Sequence, residues 1–360
     1  MENIIEFQPN WASIPGNTIR EVIVNKNFSI PVLASKMRTT PEFIDQLING
    51  QSAITPDIAE SLSKYLGAST DFWLKREEQY RNTLAHNYSP EAWLKELPLK
   101  DMIKFGWIRE VADMVTECLS FFDVPDVKTW RLKYSELMQA TSFRTSPTFK
   151  TDQAATAAWL RYGEIAAQKM ECKKWDEELF EKVLFEIKTL TRKKNPKDFI
   201  PELLKACSEC GVAVVISRTP FGCRASGATK FLDNDKAMLL LSFRYLSDDH
   251  FWFTFYHEAG HIVLHKSKSP IIEENSSNKT YSEEEREANL FAGEVLIPHE
   301  LQSELSRLRG NKRNIISFAM KAGVSPGIVV GQMQHRGIID HKYLNSYKRR
   351  YDWEEIASTL

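Results

Sequence analysis

The chain has 360 residues and a formal net charge of −1 at pH 7. This length exceeds the usual range of one compact domain and suits two or three. Because the charges balance, no overall field draws the protein onto nucleic acid or acidic membranes, and any such contact must be local. A hydrophobic content of 42%, with nine Trp and twenty Phe, is typical of folded domains and excludes long disorder.

The N-terminal sequence MENIIEFQPNWASIPG lacks the basic start and the apolar run of an export signal. The sequence also has no apolar run of about eighteen residues or more, so it predicts no membrane span. We therefore expect a cytoplasmic protein without membrane contact. Its five cysteines are odd in number and scattered, which indicates reduced thiols, and the single CxxC of Cys207 and Cys210 is interpreted as structural because it is only half of a tetrahedral metal site.

Residues 17–82 contain several short helical patterns joined by tight turns. Two of them, TTPEFIDQLING and TPDIAESLSKYLG, begin with Thr-Pro, in which threonine can cap free N–H groups and proline fits the first helical turn. Several patterns end at Gly or Asn-Gly, as helices commonly do. We predict an all-helical domain of about five helices in residues 1–82.

The rest of the chain changes period once. Residues 83–194 keep the three- and four-residue spacing of apolar side chains and predict a helical connector domain. From residue 211, VAVVISRT and AMLLLSFRY predict strands, and long helical patterns follow them. The predicted fold is mainly α with a small α+β domain at residues 195–340 and a loosely packed tail at residues 341–360.

The segment FWFTFYHEAGHIVLH carries the chemistry most clearly. His257 and His261 are four residues apart in a predicted helix, so both imidazoles share one face and can bind one ion. Glu258 would act as the general base on a metal-activated water. The flanking residues are apolar almost all round, so the helix should be buried, and buried His, Glu and His need a polar partner such as zinc.

A catalytic zinc commonly has three protein ligands, so a third is needed beyond the two histidines. The downstream helix SEEEREANLFAGEVLIP offers it. One face of this helix is predicted to hold Glu287, Ala288, Phe291, Ala292 and Val295, with Glu283 and Glu285 toward solvent. Glu287 is the predicted ligand, and Glu284, one turn before Ala288, is the alternative.

Other polar side chains are assigned supporting roles. His265 is interpreted as a packing residue or as a neighbour of a ligand, since a fourth protein ligand would occupy the position that water needs. Asn289 or Asp249 could orient a ligand histidine through its second ring nitrogen. A substrate carbonyl would need a polarising group, for which the sequence offers His250, Tyr256 and His299 without a preference.

HEAGHIVLH followed by EREANLFAGEVLIP resembles the ImmA/IrrE family of bacterial metallopeptidases, over about residues 195–340. The resemblance implies zinc binding by His257, His261 and Glu287, catalysis by Glu258, and site-specific cleavage of a repressor- or antitoxin-type protein.

Residues 31–81 are similar to the XRE-type helix-turn-helix of HigA-like antitoxins. The resemblance makes TTPEFIDQLING the recognition helix, with Thr39, Thr40, Glu42 and Gln46 near base edges and Arg38, Lys36 and Lys26 near phosphates. Residues 1–82 hold eight Lys/Arg and ten Asp/Glu, a net charge of −2, which is unusual for a DNA binder. Double-stranded DNA and a docked protein are therefore both kept as partners, and a homodimer stays open.

Two functions follow from these patterns. One is a regulatory zinc endopeptidase that the helix-turn-helix module localises. The alternative is a DNA-binding regulator or antitoxin whose zinc site senses metal or redox state without proteolysis. Glu258 favours the endopeptidase, because a sensing site needs no general base.

Overall fold

The computed structural model describes residues 14–135, 152–266, 271–274, 283–308 and 311–360, and only the backbone of residues 84–87 and 272–274. The described chain divides into two compact units between Lys95 and Glu96. This division differs from the predicted boundaries at residues 82 and 194. The prediction of a mainly helical chain with a small sheet is confirmed.

The described part of the first unit is all helical. Its helices are α1 (Pro15–Asn25), α2 (Ile30–Met37), α3 (Pro41–Ile48), α4 (Pro56–Leu66) and α5 (Thr70–Asn87), and α6 (Pro90–Glu96) follows them. Helices α1 to α4 each carry proline in the first turn, where its missing N–H costs nothing. Leu33, Ile44, Leu62 and Trp73 are buried in the core that holds them together.

The second unit surrounds a sheet with helices. Before the sheet lie α7 (Leu99–Lys104), α8 (Met114–Phe122), α9 (Val127–Lys133), α10 (Gln153–Lys169), α11 (Glu177–Ile187), a 3₁₀ turn (Lys188–Arg192) and α12 (Pro196–Ser208). Within and after the sheet lie α13 (Asp248–Leu264), α14 (Glu283–Leu296), α15 (His299–Arg307), α16 (Lys312–Ala322), α17 (Pro326–His335), a second 3₁₀ turn (Asn345–Tyr347) and α18 (Trp353–Ala357).

The sheet has four described strands: β1 (Val212–Ile216), β2 (Ala225–Phe231), β3 (Ala237–Leu241) and β4 (Ile271–Glu274). Their order is β1-β3-β2-β4, with β1 parallel to β3 and the other neighbours antiparallel. Both faces of the sheet are covered. Alternate residues of β1 point to opposite faces, so Val212 and Val214 join the core that contains α13, whereas Ala213 and Val215 pack with α10.

Helix α10, which the sequence assigns to a connector, therefore forms one layer of the sheet domain. Trp159 is fully buried in that layer, and Gly163 lies so close to the sheet that a Cβ there would meet the side chain of Leu240. Cys207 and Cys210 are buried in the core on the other face, which supports their structural interpretation.

The C-terminal residues are packed, which corrects the expected loose tail. Arg349 and Tyr351 pair through their backbones with Asp248 and Leu246, at the start of α13. The Asp248 carboxylate also accepts hydrogen bonds from the Arg349 N–H and the Ser325 hydroxyl, at 2.9 and 2.6 Å. Ile356 is fully buried. The segment beyond residue 341 thus holds the first turn of α13 in place.

A buried ion pair makes this attachment testable. Lys348 Nζ lies 2.7 Å from Asp249 Oδ2, and the two side chains are 8% and 6% exposed. The substitution Lys348→Met should lower the free energy of unfolding by about 3–5 kcal/mol, because it leaves a buried carboxylate without its cation. Urea unfolding followed by Trp fluorescence measures the loss. Lys342→Met, at an exposed lysine of the same segment, is the control, and an equal effect of both changes would refute the argument.

Among the described residues, no single helix has the length and apolar character needed to cross a membrane. Helices α16 and α17 meet those criteria only as a pair, which is bent by 103°.

Candidate metal centre

The centre forms where α13 and α14 pack against each other. Gly260 on α13 faces Ala288 and Phe291 on α14, and a Cβ at Gly260 would lie 3.3 Å from Ala288 Cα and 3.1 Å from Phe291 Cδ1. Small residues at this crossing allow the helix axes to come close. The polar side chains one turn away on each helix, His257 and Glu285, therefore reach each other.

His257, His261 and Glu285 bring three potential ligand atoms within 4.8 Å of one another. The two histidine Nε2 atoms are 3.0 Å apart. Glu285 Oε2 lies 3.5 Å from His257 Nε2, and Glu285 Oε1 lies 3.7 Å from His261 Nε2. Both histidines are buried, and the glutamate side chain is 13% exposed. Ligands of a tetrahedral zinc at its usual bond lengths are about 3.3 Å apart, so the two imidazoles and the carboxylate are spaced to fit that ion.

The acidic residue at the histidines is Glu285, which corrects the sequence-based choice of Glu287 and of the alternative, Glu284. Glu285 precedes the buried Ala292 by seven residues, and so lies within about 20° of it around the helix. Glu287 is turned away by about 140° from Ala292, and its side chain is 51% exposed. The face predicted from the sequence is rotated from the face that is buried, because the prediction included Phe291, which is only partly buried.

Each histidine is oriented through its Nδ1 atom. His257 Nδ1 lies 3.2 Å from Asn289 Oδ1, and since a carbonyl oxygen only accepts, the ring donates there and its Nε2 carries a lone pair. Of the two candidates for this role, the structure brings Asn289 to the histidine, whereas Asp249 pairs with Lys348. His261 Nδ1 lies 2.9 Å from His265 Nδ1. Burial, followed by the proximity of His257 and His265, lowers the pKa of His261 to about 3, so this ring is neutral at pH 7 as a metal ligand requires.

Glu258 lies between α13 and strand β2. Its side chain is fully buried, and a Cβ on Gly227 would come within 2.6 Å of Glu258 Cγ and 2.8 Å of Glu258 Cδ. Only glycine at position 227 leaves room for this carboxylate beside the strand. Sequence reasoning missed Gly227, because nothing local marks a strand glycine that faces a helix 31 positions further along the chain.

Of the groups considered for polarising a carbonyl, Tyr256 is committed elsewhere. Its hydroxyl donates to the Leu184 carbonyl at 2.9 Å, and burial raises its pKa well above the usual value. His250 is about half exposed and stacks on Tyr245 with ring centroids 4.2 Å apart. His299 is exposed at the start of α15. His250 is seven residues before His257 on the same helix face, about 10 Å away along the axis, so the structure does not bring it to the histidine pair.

The predicted DNA-contacting residues lie on and before α3. Arg38, in the left-handed conformation with φ 53°, ends α2 and is exposed, as are Thr40, Glu42 and Gln46, whereas Thr39 is partly buried. The Thr40 hydroxyl caps α3 by accepting from the Phe43 N–H at 3.2 Å. Backbone and Thr40 hydrogen bonds lower the pKa of Glu42, so this helix start is anionic at neutral pH.

Comparison with known proteins finds matches for two parts of the chain. Residues 212–331 match the Peptidase_M78 family, described as the IrrE N-terminal-like domain. An uncharacterized HTH-type transcriptional regulator of Escherichia coli K12, YddM, is 32% identical over 66 residues, which are 18% of this chain and 70% of the regulator.

Two solved structures also match. A putative antidote protein of a plasmid maintenance system from Nostoc punctiforme is 29% identical, with 20% of this chain and 80% of that one covered, and a TM-score of 0.20. An addiction module antidote protein of the HigA family from Coxiella burnetii is 26% identical, with 26% and 92% covered, and a TM-score of 0.20. The chain therefore carries a Peptidase_M78 domain of the IrrE N-terminal-like type at residues 212–331, together with an N-terminal segment similar to HTH-type regulators.

Proposed function

We propose that this chain is a regulatory zinc endopeptidase that cleaves a repressor- or antitoxin-type protein, and that its helix-turn-helix module brings it to DNA where that substrate is bound. The observation that carries the proposal is the cluster of His257, His261 and Glu285, three ligand atoms within 4.8 Å, with Glu258 in the same helix turn. Two histidines and one glutamate are a known ligand set of catalytic zinc in peptidases.

The residues divide the work between binding and proton transfer. His257 and His261 would hold the ion through Nε2, and Glu285 through its carboxylate. Bound zinc would lower the pKa of water to about 7 and polarise the substrate carbonyl. A carboxylate oxygen of Glu258 takes a proton from the attacking water and delivers it to the leaving amide nitrogen. Gly227 keeps this carboxylate beside β2, and Asn289 keeps the His257 ring in its binding orientation.

Metal removal tests the proposal directly. We expect about one zinc per chain, loss of cleavage on treatment with a strong chelator, and recovery when zinc is returned. Elemental analysis gives the metal content, and co-expression with the products of adjacent genes supplies the substrates. A fully loaded protein that cleaves none of those products would contradict the peptidase proposal and favour a metal-sensing regulator.

A test of the targeting step uses the DNA upstream of the gene in a gel-shift assay. Arg38→Ala should weaken the shift and reduce its salt dependence by about one phosphate contact. The acidity of α3 supports a second candidate, in which the module docks a protein: Glu42 and Asp45 are exposed, and α3 has no basic residue. Absence of a shift even at low salt would favour that candidate.

The proposal also predicts the effect of adding one methyl group beside the general base. Gly227→Ala should reduce cleavage by about 100-fold, because Glu258 or β2 must move and misplacement by about 1 Å costs that much. Zinc content should remain near one per chain, since no ligand changes. Gly293→Ala is the matched control, because a Cβ there meets only Arg336, at 3.9 Å. Full activity in the Gly227 variant would show that its contact with Glu258 is unimportant.

A further inference from the structure

A hydrogen-bond chain extends from His261 away from the proposed ion. His261 Nδ1 lies 2.9 Å from His265 Nδ1, and His265 Nε2 lies 2.9 Å from Glu287 Oε2. His265 is the C-cap residue of α13, one turn after His261, and Glu287 comes from α14. This series of hydrogen bonds thus joins the two helices that supply the proposed ligands.

The direction of each hydrogen bond follows from the role of His261. A ring that binds an ion through Nε2 carries its proton on Nδ1, so His261 donates to His265 Nδ1. His265 must then hold its own proton on Nε2, where it donates to the Glu287 carboxylate. No other arrangement of protons satisfies both contacts while leaving the Nε2 lone pair of His261 free.

We propose that His265 and Glu287 form a positioning pair that fixes the ring orientation and tautomer of His261 and thereby tightens zinc binding. This inference rests on the proposed metal centre. It gives Glu287 a role through His265, whereas the sequence suggested that Glu287 binds the ion directly. Partners of this kind, in which a carboxylate acts through a histidine, typically account for about 10–100-fold in metal affinity.

The two ligand histidines are therefore supported differently. His257 donates to the neutral amide of Asn289, whereas the support of His261 ends on a carboxylate. The side chain of His265 is only 9% exposed, which shields its contact with His261 from competing water. Glu287 is 51% exposed, so it can be replaced without opening the core.

Zinc affinity, measured by competition with a chromophoric chelator, tests the pair. His265→Leu removes the acceptor and should weaken binding by about 10–100-fold. His265→Asn places an amide oxygen near the former Nδ1 position and should restore most of the affinity. Glu287→Gln, which keeps an acceptor but loses the charge, should fall between wild type and His265→Leu. Glu283→Gln is the matched control, since Glu283 is 76% exposed and pairs with Arg286 on the same helix.

A second readout is the visible absorption of the cobalt-substituted protein, which reports ligand geometry independently of activity. His265→Leu should change this spectrum, and His265→Asn should return it toward that of wild type. Zinc binding by wild type with unchanged affinity and spectrum in His265→Leu and Glu287→Gln would overturn the inference, as would equal losses in the Leu and Asn variants. Failure of wild type to bind zinc would instead refute the proposed function. If His265→Leu does not fold, the surface variant Glu287→Gln decides.

Discussion

Replacement of Glu258 by glutamine is expected to lower the rate of cleavage by about 100- to 10,000-fold, the usual contribution of a general acid–base group. Glutamine has nearly the same shape as glutamate, so it fits the narrow space beside Gly227. It cannot accept the proton of the attacking water. Quantitative cleavage of a co-expressed substrate measures the loss.

Zinc content and thermal stability of the Glu258→Gln protein should match those of wild type, because the three ligands are untouched. Glu284→Gln serves as the control, since Glu284 is exposed on α14. A Glu258→Gln protein that keeps wild-type activity would remove Glu258 from the mechanism, whereas one that loses its metal would show a structural role instead.

The parts of the site that depend on one helix could be predicted from the sequence. His257 and His261 share a face because the helical repeat alone places residues four apart on the same side. The apolar flanks also predict correctly that this helix is buried, as Trp252, Phe255 and Ile262 are. Local signals of the same kind, Thr-Pro starts and Gly stops, identify helices α3 and α4 of the first unit.

The proposed third ligand could not be predicted in this way, because it depends on how α14 is rotated against α13. Four of the five residues from Glu283 to Glu287 are glutamates, so composition does not choose among them. The close contact of Gly260 with Ala288 sets the rotation and brings Glu285 to the histidines. That contact joins residues far apart in sequence, and no local pattern reports it.

The C-terminal segment illustrates a second limit. Its polar, Tyr- and Lys-rich sequence has no helical or strand period, which favours a loose tail. Its attachment instead depends on Asp248 and Asp249, about a hundred residues earlier, which bind the backbone N–H of Arg349 and the ammonium of Lys348. Long side chains that pair in a buried site look the same in sequence as solvated ones.

The second large effect is expected on zinc affinity when Glu285, the proposed acidic ligand, is replaced. Glu285→Gln should reduce zinc affinity by more than the 10–100-fold that is lost with a side chain that only supports a ligand. The reason is that a neutral amide replaces a charged ligand, so that only the two histidines remain. Cleavage should fall with metal occupancy and recover in part at high zinc concentration. Chelator competition and elemental analysis measure the change.

Neighbouring glutamates of the same helix provide the comparison that decides the assignment. Glu284→Gln, at an exposed position, should leave zinc affinity unchanged, and Glu287→Gln should weaken it moderately through His265. The expected order of loss is therefore Glu285, then Glu287, then Glu284. If Glu287→Gln removed the metal while Glu285→Gln retained it, α14 would have to be rotated by about 160° from its position here to bring Glu287 to the histidines. Such a rotation would expose Ala288 and Ala292, which are both fully buried, so the packing of α14 and the assignment of Glu285 stand or fall together.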